Sequence, residues 1–236
     1  MKRTILAAGL IACSIMSAAC NVGDCISGSG VVISQERTMA PFESITTDGS
    51  MRLVITQDTV QSLRLEGEDN ILPLIRTTVT DGRLTISSDR CYSSQSEITV
   101  YASMKQIRGL RISGSGDIRS TNTLSGDRLE LGIEGSGNIT LALSMATLTS
   151  DIDGSGNIHL TGSAPNQRIS ISGSGDIDAS GLASDTSTIA INGSGNARVD
   201  VAKYFDVNIS GSGDIYYKGT PAMTINISGA GKLIKI

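Results

Sequence analysis

Seven copies of one short motif restrict what this chain can fold into more than any other feature of it. Ile112-Ser113-Gly114-Ser115-Gly116-Asp117-Ile118 returns at 133–139, 152–158, 171–177, 191–197 and 209–215, and in altered form at 227–233. The first glycines stand at 114, 135, 154, 173, 193, 211 and 229, so the intervals are 21, 19, 19, 20, 18 and 18 residues. A near-constant period of this length means one supersecondary unit stacked on copies of itself. Within each unit, apolar residues alternate with polar ones at period two before the glycines (Leu110/Ile112, Leu131/Ile133, Ile169/Ile171) and after them (Ile139/Leu141, Ile158/Leu160, Ile215/Tyr217). That is the half-buried strand pattern. The strands are short and their connections leave no room for crossover helices. The expected fold is therefore all-β: a right-handed parallel β-helix of about 18–21 residues per turn.

The spacers, such as Thr161 to Gln167 and Ala179 to Ser187, differ in length and are rich in turn formers, so they are expected as solvent-facing corners. Residues 31–109 are less regular. Asp48-Gly49-Ser50 is a decayed copy of the motif, Asp81-Gly82 between two alternating runs reads as a two-residue hairpin turn, and Pro73 limits any helical turn near Asp69 to Ile75. Composition agrees with stacked aliphatic layers: there is no Trp, and Phe and Tyr number 2 and 5. The net charge of -4 and the absence of a basic run argue against nucleic acid as a partner.

Residues 1–19 read as an export signal. Met1-Lys2-Arg3 is the basic start, an apolar run follows, and Ser17-Ala18-Ala19 is the small-residue cleavage box. Ser17-Ala18-Ala19-Cys20 resembles a lipobox, with Ser17 where Leu is usual. Leu10-Ile11-Ala12-Cys13 fits the local pattern better but leaves an apolar run of only about six residues. The reading is lipidation at Cys20 and a tether over 20–30, with plain secretion or acylation at Cys13 as alternatives. Cys25 and Cys91 then remain as an even pair, expected as a disulfide in an exported protein, with two free thiols as the alternative.

If alternation survives the glycines, two polar columns stand on the outside of the regular part, 110–236. One is Ser115, Ser136, Ser155, Ser174, Ser194 and Ser212. The other is Asp117, Asn138, Asn157, Asp176, Asn196 and Asp214. Both are candidate binding ladders. Glycine-rich turns followed by Asp suggest calcium, but no two Asp are neighbours in the column, and calcium takes six to eight oxygens. Glu134 beside Asp153, with Asp151 near in sequence, is the one acidic adjacency considered for a cation; no metal or cofactor is expected. His159 is the only histidine, which excludes a Ser-His-Asp or Cys-His arrangement elsewhere in the chain. Asp151, Asp153 and Asp178 could be read as a polysaccharide-cleaving set, but nothing else in the sequence supports it and no catalytic residue is assigned. Tyr204/Phe205 and Tyr216/Tyr217 cluster in the last turns, as an aromatic platform or as a plug for the open end.

Several of these segments together resemble the head GIN domain family of bacterial autotransporter-adhesin-like proteins. They are the lipobox, Gly28-Ser29-Gly30-Val31-Val32, Phe42-Glu43-Ser44-Ile45, Ile55-Thr56-Gln57-Asp58, Ile71-Leu72-Pro73-Leu74-Ile75-Arg76-Thr77 and the serial Gly-Ser-Gly-Asp/Asn-Ile motif. The resemblance covers about residues 28–236 and implies a β-helix outside the cytoplasm. The family supplies no catalytic residues to carry over. The sequence thus predicts an exported, non-enzymatic envelope lipoprotein, held at the membrane by its lipid, with a glycan or an envelope protein as ligand. The alternatives are a carbohydrate-active β-helix enzyme and a structural protein that forms homo-oligomers through its terminal coils.

Overall fold

The computed structural model describes residues 25–236. Its motif copies lie directly over one another. Ile112 pairs with Ile133, Ile133 with Ile152, Ile152 with Ile171, Ile171 with Ile191, Ile191 with Ile209 and Ile209 with Ile227, always in parallel. After the glycines a second column runs Ile118, Ile139, Ile158, Ile177, Ala197, Ile215 and Leu233. We call the strand segments before the glycines the leading wall and those after them the trailing wall. The chain is a β-solenoid with one coil per motif, as the repeat predicts. Ile133, Ile152 and Ile171 are 1%, 2% and 0% exposed, and an aliphatic side chain so buried contributes about 1.5–3 kcal/mol.

The corner between the walls requires its glycines for two separate reasons. Gly135 has φ +126°, a region that residues with a Cβ rarely adopt. Gly137 is demanded by close approach: a Cβ there would stand 2.5 Å from the Gly116 carbonyl oxygen and 2.8 Å from Ile112 Cγ2. This tight stacking also satisfies the corner backbone. The Ser136 N–H donates to Gly114 O at 2.8 Å and the Asn138 N–H to Gly116 O at 3.0 Å.

The spacers differ from expectation. They are paired strand, not free corners: Asp176–Gly193 is a single strand that includes Ala179 to Ser187, and only Ala164-Pro165 interrupts Asn157–Ser163 and Asn166–Gly173. In a parallel stack each backbone N–H finds the carbonyl of the next coil whatever its side chain. The variation in length is taken up by register shifts, between Ala179 and Ala183 and between Ser184 and Thr186. Beneath these shifts the interior turns polar. Gln167 Nε2 donates to Ser184 Oγ at 3.2 Å, and Ser184 Oγ donates to the Asp200 carbonyl at 2.6 Å.

The N-terminal part stacks on the first regular coil, but its own segments do not follow one another in space as they do in sequence. The decayed copy is a true coil: Gly49 pairs with Gly114, and Leu53 with Ile118. On its other side lie Arg83–Ser88 and Thr99–Met104, also parallel. Antiparallel strands extend the stack further, Ser62–Glu68 on Thr99–Met104, Val32–Glu36 on Ser62–Glu68, and Ile75–Thr80 on Arg83–Ser88. The Asp81-Gly82 turn has φ +49° and +72°, the two positive values of a type I′ hairpin. The 3-10 turn Leu72–Leu74 contains Pro73, and Phe42, Ile71, Leu72 and Ile98 fill the core at this end.

Cys25 and Cys91 are joined by a disulfide. Next to it Ile26–Ser27 pairs in parallel with Tyr92–Ser93. The segment read as a tether is thus fastened to the body from Cys25 onward. Cys20 and the signal segment lie outside the described residues.

Candidate binding surface

Stacking brings the six serines Ser115, Ser136, Ser155, Ser174, Ser194 and Ser212 to one corner, all exposed. Their backbone N–H groups are bound to the coil beneath, for example Ser155 N to Gly135 O and Ser174 N to Gly154 O, both at 2.8 Å. The backbone is therefore rigid, and among the described residues the hydroxyls make no side-chain hydrogen bond within the protein. Strands repeat at about 4.8 Å, so the corner presents one free donor and acceptor group per coil.

The Asp/Asn column lies beside it at the start of the trailing wall and bonds to itself. Asn138 Nδ2 donates to Asp117 Oδ1 at 2.9 Å, and Asn157 Nδ2 to Asn138 Oδ1 at 3.1 Å. Further along, Asn196 Nδ2 donates to Asp176 Oδ1 at 2.9 Å, the Asp214 N–H to Asn196 Oδ1 at 3.0 Å, and the Lys232 N–H to Asp214 Oδ1 at 2.8 Å. An aspartate can only accept, so a stack of aspartates alone would be unbonded and mutually repulsive; interleaved Asn supplies the missing donors. Part of this column's capacity is thus spent internally, which leaves the serines as the freer set.

This column and the next outward positions of the trailing wall line a shallow groove of about 390 Å³, to which Arg119, Thr140, His159 and Asp178 also contribute. His159 Nδ1 stands 3.7 Å from Asp178 Oδ2. Burial alone would raise the Asp178 pKa, but hydrogen bonds from the Ser180 hydroxyl and N–H, with His159 and Arg198 nearby, hold it below the usual carboxylate range. Asp178 is therefore an anion, an acceptor for hydroxyl groups rather than an acid.

The other acidic candidates do not gather. Asp151 and Asp153 are on the leading wall, in register with Gly132 and Glu134, whereas Asp178 is on the trailing wall, opposite His159. Burial raises the Asp151 pKa against the pull of Arg111 and Arg168. Glu134 is occupied by Arg111, Nη1 to Oε1 2.7 Å. Among the described residues no group of three or more His, Cys, Asp or Glu side chains is placed to hold a metal ion. Phe205 and Tyr217 lie in the interior, ring centroids 5.7 Å apart, one coil short of the last. Tyr204 is exposed, and Tyr216 faces outward beneath the Arg198 guanidinium, 5.0 Å from its ring centroid. The four aromatics are thus divided between core and surface. Among the described residues no helix is long and apolar enough to cross a membrane.

This glycine-cornered solenoid is matched by a known family. The family described as "putative auto-transporter adhesin, head GIN domain" matches residues 41–221. The chain belongs to the head GIN domain family. A crystal structure of a "putative adhesin" from Bacteroides fragilis is similar, with TM-score 0.83, 26% identity and coverage of 89% of this chain and 100% of that one. A "putative adhesin" from Parabacteroides distasonis aligns with TM-score 0.72 and 26% identity over 90% of this chain and 100% of its own. A "putative lipid binding protein" from the same organism aligns with TM-score 0.76 and 24% identity, over 90% and 100%, and shares the fold. No curated protein matches the chain. The family places the chain among adhesion or binding modules.

Proposed function

We propose that this head GIN protein is an exported, lipid-anchored envelope protein that binds a glycan-rich surface without turning it over. The observation that carries the reading is the column of six rigidly held serines with unengaged hydroxyls at one corner, beside the polar trailing-wall groove. Single hydroxyl contacts are weak, but contacts repeated at each coil add along the rod and raise the overall affinity. The disulfide and the strand pairing at Ile26–Ser27 fasten the segment that begins at Cys25 to the antiparallel end of the stack, which supports a reading in which the coils project away from the anchor. Acylation of Cys20 belongs to the same proposal.

A glycan array probed with the protein processed at its own N-terminus tests this reading. Saturable binding that weakens in a Ser155→Lys/Ser174→Lys variant, with no release of shortened saccharide, is expected. Depolymerisation of a bound polysaccharide would overturn it in favour of an enzyme; no binding to any saccharide would overturn it altogether. A second reading, self-association through the last coil, is favoured by the exposure of Ile225 and Ile227 there.

A further inference from the structure

The leading wall carries a basic hollow that the serine column does not explain. At its outward positions Arg83, Ser44, Gly109 and Glu130 stand in register across four successive strands, and next to them Thr46, Arg111, Gly132 and Asp151. Gly109 presents no side chain on this surface and Gly132 makes room for that of Arg111, and both line a depression of about 300 Å³. Four guanidinium groups surround it, those of Arg83, Arg108, Arg111 and Arg128. Arg111 reaches across the second glycine, where a Cβ would come 2.8 Å from its Cζ. The four arginines come from three segments, Arg83 from one, Arg108 and Arg111 from a second and Arg128 from a third, and the stacking of Arg83–Ser88 beneath Ser44–Gly49 and Gly109–Gly114 collects them. Such a convergence is unexpected in a chain of net charge -4.

Three of the four are already paired on the surface: Arg108 Nε to Glu43 at 2.5 Å, Arg111 to Glu134 and Arg128 Nη2 to Glu130, both at 2.7 Å. These pairs are exposed, with arginine side chains 65%, 45% and 64% accessible, so an incoming anion displaces them at little cost. Arg83 has no carboxylate partner among the described residues. Guanidinium groups present planar forks of N–H donors that match carboxylate and sulfate oxygens. Glu130 and the Ser44 and Thr46 hydroxyls, which line the same depression, can accept from or donate to sugar hydroxyls.

We propose that this hollow is a subsite for an acidic sugar unit, its carboxylate or sulfate group held by Arg83 and Arg128. The inference rests on the glycan-binding reading and specifies which glycans are preferred. The test is titration of the full processed chain with oligogalacturonate, a sulfated dextran oligosaccharide, neutral dextran oligosaccharide, inorganic sulfate and inorganic phosphate. The acidic oligosaccharides are expected to bind in a salt-dependent manner, and Arg83→Gln/Arg128→Gln to weaken them by about tenfold or more. Gly109→Leu alters no charge but fills the hollow. Its φ is not in the left-handed region, and the first atom a Cβ meets is the mobile Ser44 Oγ at 3.1 Å. It is expected to weaken the same ligands while leaving the thermal transition in place.

Unchanged affinity for acidic oligosaccharides in both variants would overturn the subsite and leave the glycan reading standing. The same holds if neutral and acidic chains bind equally. Sulfate or phosphate binding as tightly as the oligosaccharides would reduce the site to an anion site and overturn its sugar part. Failure of every saccharide, neutral or acidic, to bind would remove the glycan reading and the subsite together.

Discussion

Glu68 is a residue whose role nothing in its local sequence announces. It is fully buried, and its carboxylate accepts the Gly30 N–H and the Ser94 hydroxyl at 2.7 Å, the Gln95 N–H at 2.6 Å and the Ser96 N–H at 3.0 Å. It thus ties the N-terminal segment to the loop after Cys91. The Gly30 N–H, the Ser94 hydroxyl and the Ser96 N–H outweigh burial and hold its pKa at about 2, below its ordinary 4.5. An unfolded chain takes up the proton first as pH falls, so this contribution to stability is complete above about 4.5 and drains away towards about pH 2. The urea midpoint of the wild type is therefore expected to fall with acidification across that window. Glu68→Gln, which removes the charge and turns an NH2 group towards the Gly30 N–H if its oxygen keeps the Ser94, Gln95 and Ser96 donors, is expected to lower the midpoint at neutral pH and flatten the acid limb. Parallel profiles for the two proteins would refute the assignment. One signal was present in the sequence: Gly28, where a Cβ would lie 1.8 Å from Glu68 Oε2. Read alone, a Gly-Ser-Gly next to a lipobox looks like a flexible tether.

At the scale of the coil, the glycine pair is what lets one unit stack on the next. Gly156 shows how little room there is: a Cβ would stand 2.4 Å from Gly137 O and 2.6 Å from Ile133 Cγ2. Gly156→Ala is expected to destabilise by about 2–4 kcal/mol in urea unfolding, because backbone on one side and core on the other must move. Ser155→Ala, one residue away on the exposed corner, is expected to stay within about 0.5 kcal/mol. Equal effects at both positions would disprove the stacking argument. The inward isoleucines and outward serines were legible because a strand alternates its side chains with period two. The spacers were not, since their small polar residues carry no strand pattern and are held in the sheet by main-chain bonds to the next coil.

For the molecule as a whole, the two poles differ. One is extended by antiparallel strands over a filled core. At the other, Ala222–Gly229 and Leu233–Lys235 each pair on one side only among the described residues. Ile225 and Ile227 are there 49% and 38% exposed, although Val207 and Ile209 at the same positions one coil earlier are buried. Unpaired strand edges bearing apolar side chains template association with another chain. Light scattering over a concentration series is expected to show a dimer that Ile225→Lys/Ile227→Lys converts to monomer. A wild type that stays monomeric throughout would dispose of the second functional reading and leave the glycan reading untouched.

The repeat by itself determined the solenoid, its period, its inward isoleucine file and its outward polar columns. A period near twenty with alternating apolar residues has one economical burial, stacking on its own copies. Only the tertiary structure decided the order of the coils, the placing of Arg83–Ser88 beneath Ser44–Gly49, and hence the arginine hollow and the Glu68 tie. These depend on hydrogen bonds between segments far apart in the chain, where many registers satisfy the same local alternation and only the packing of the whole selects one.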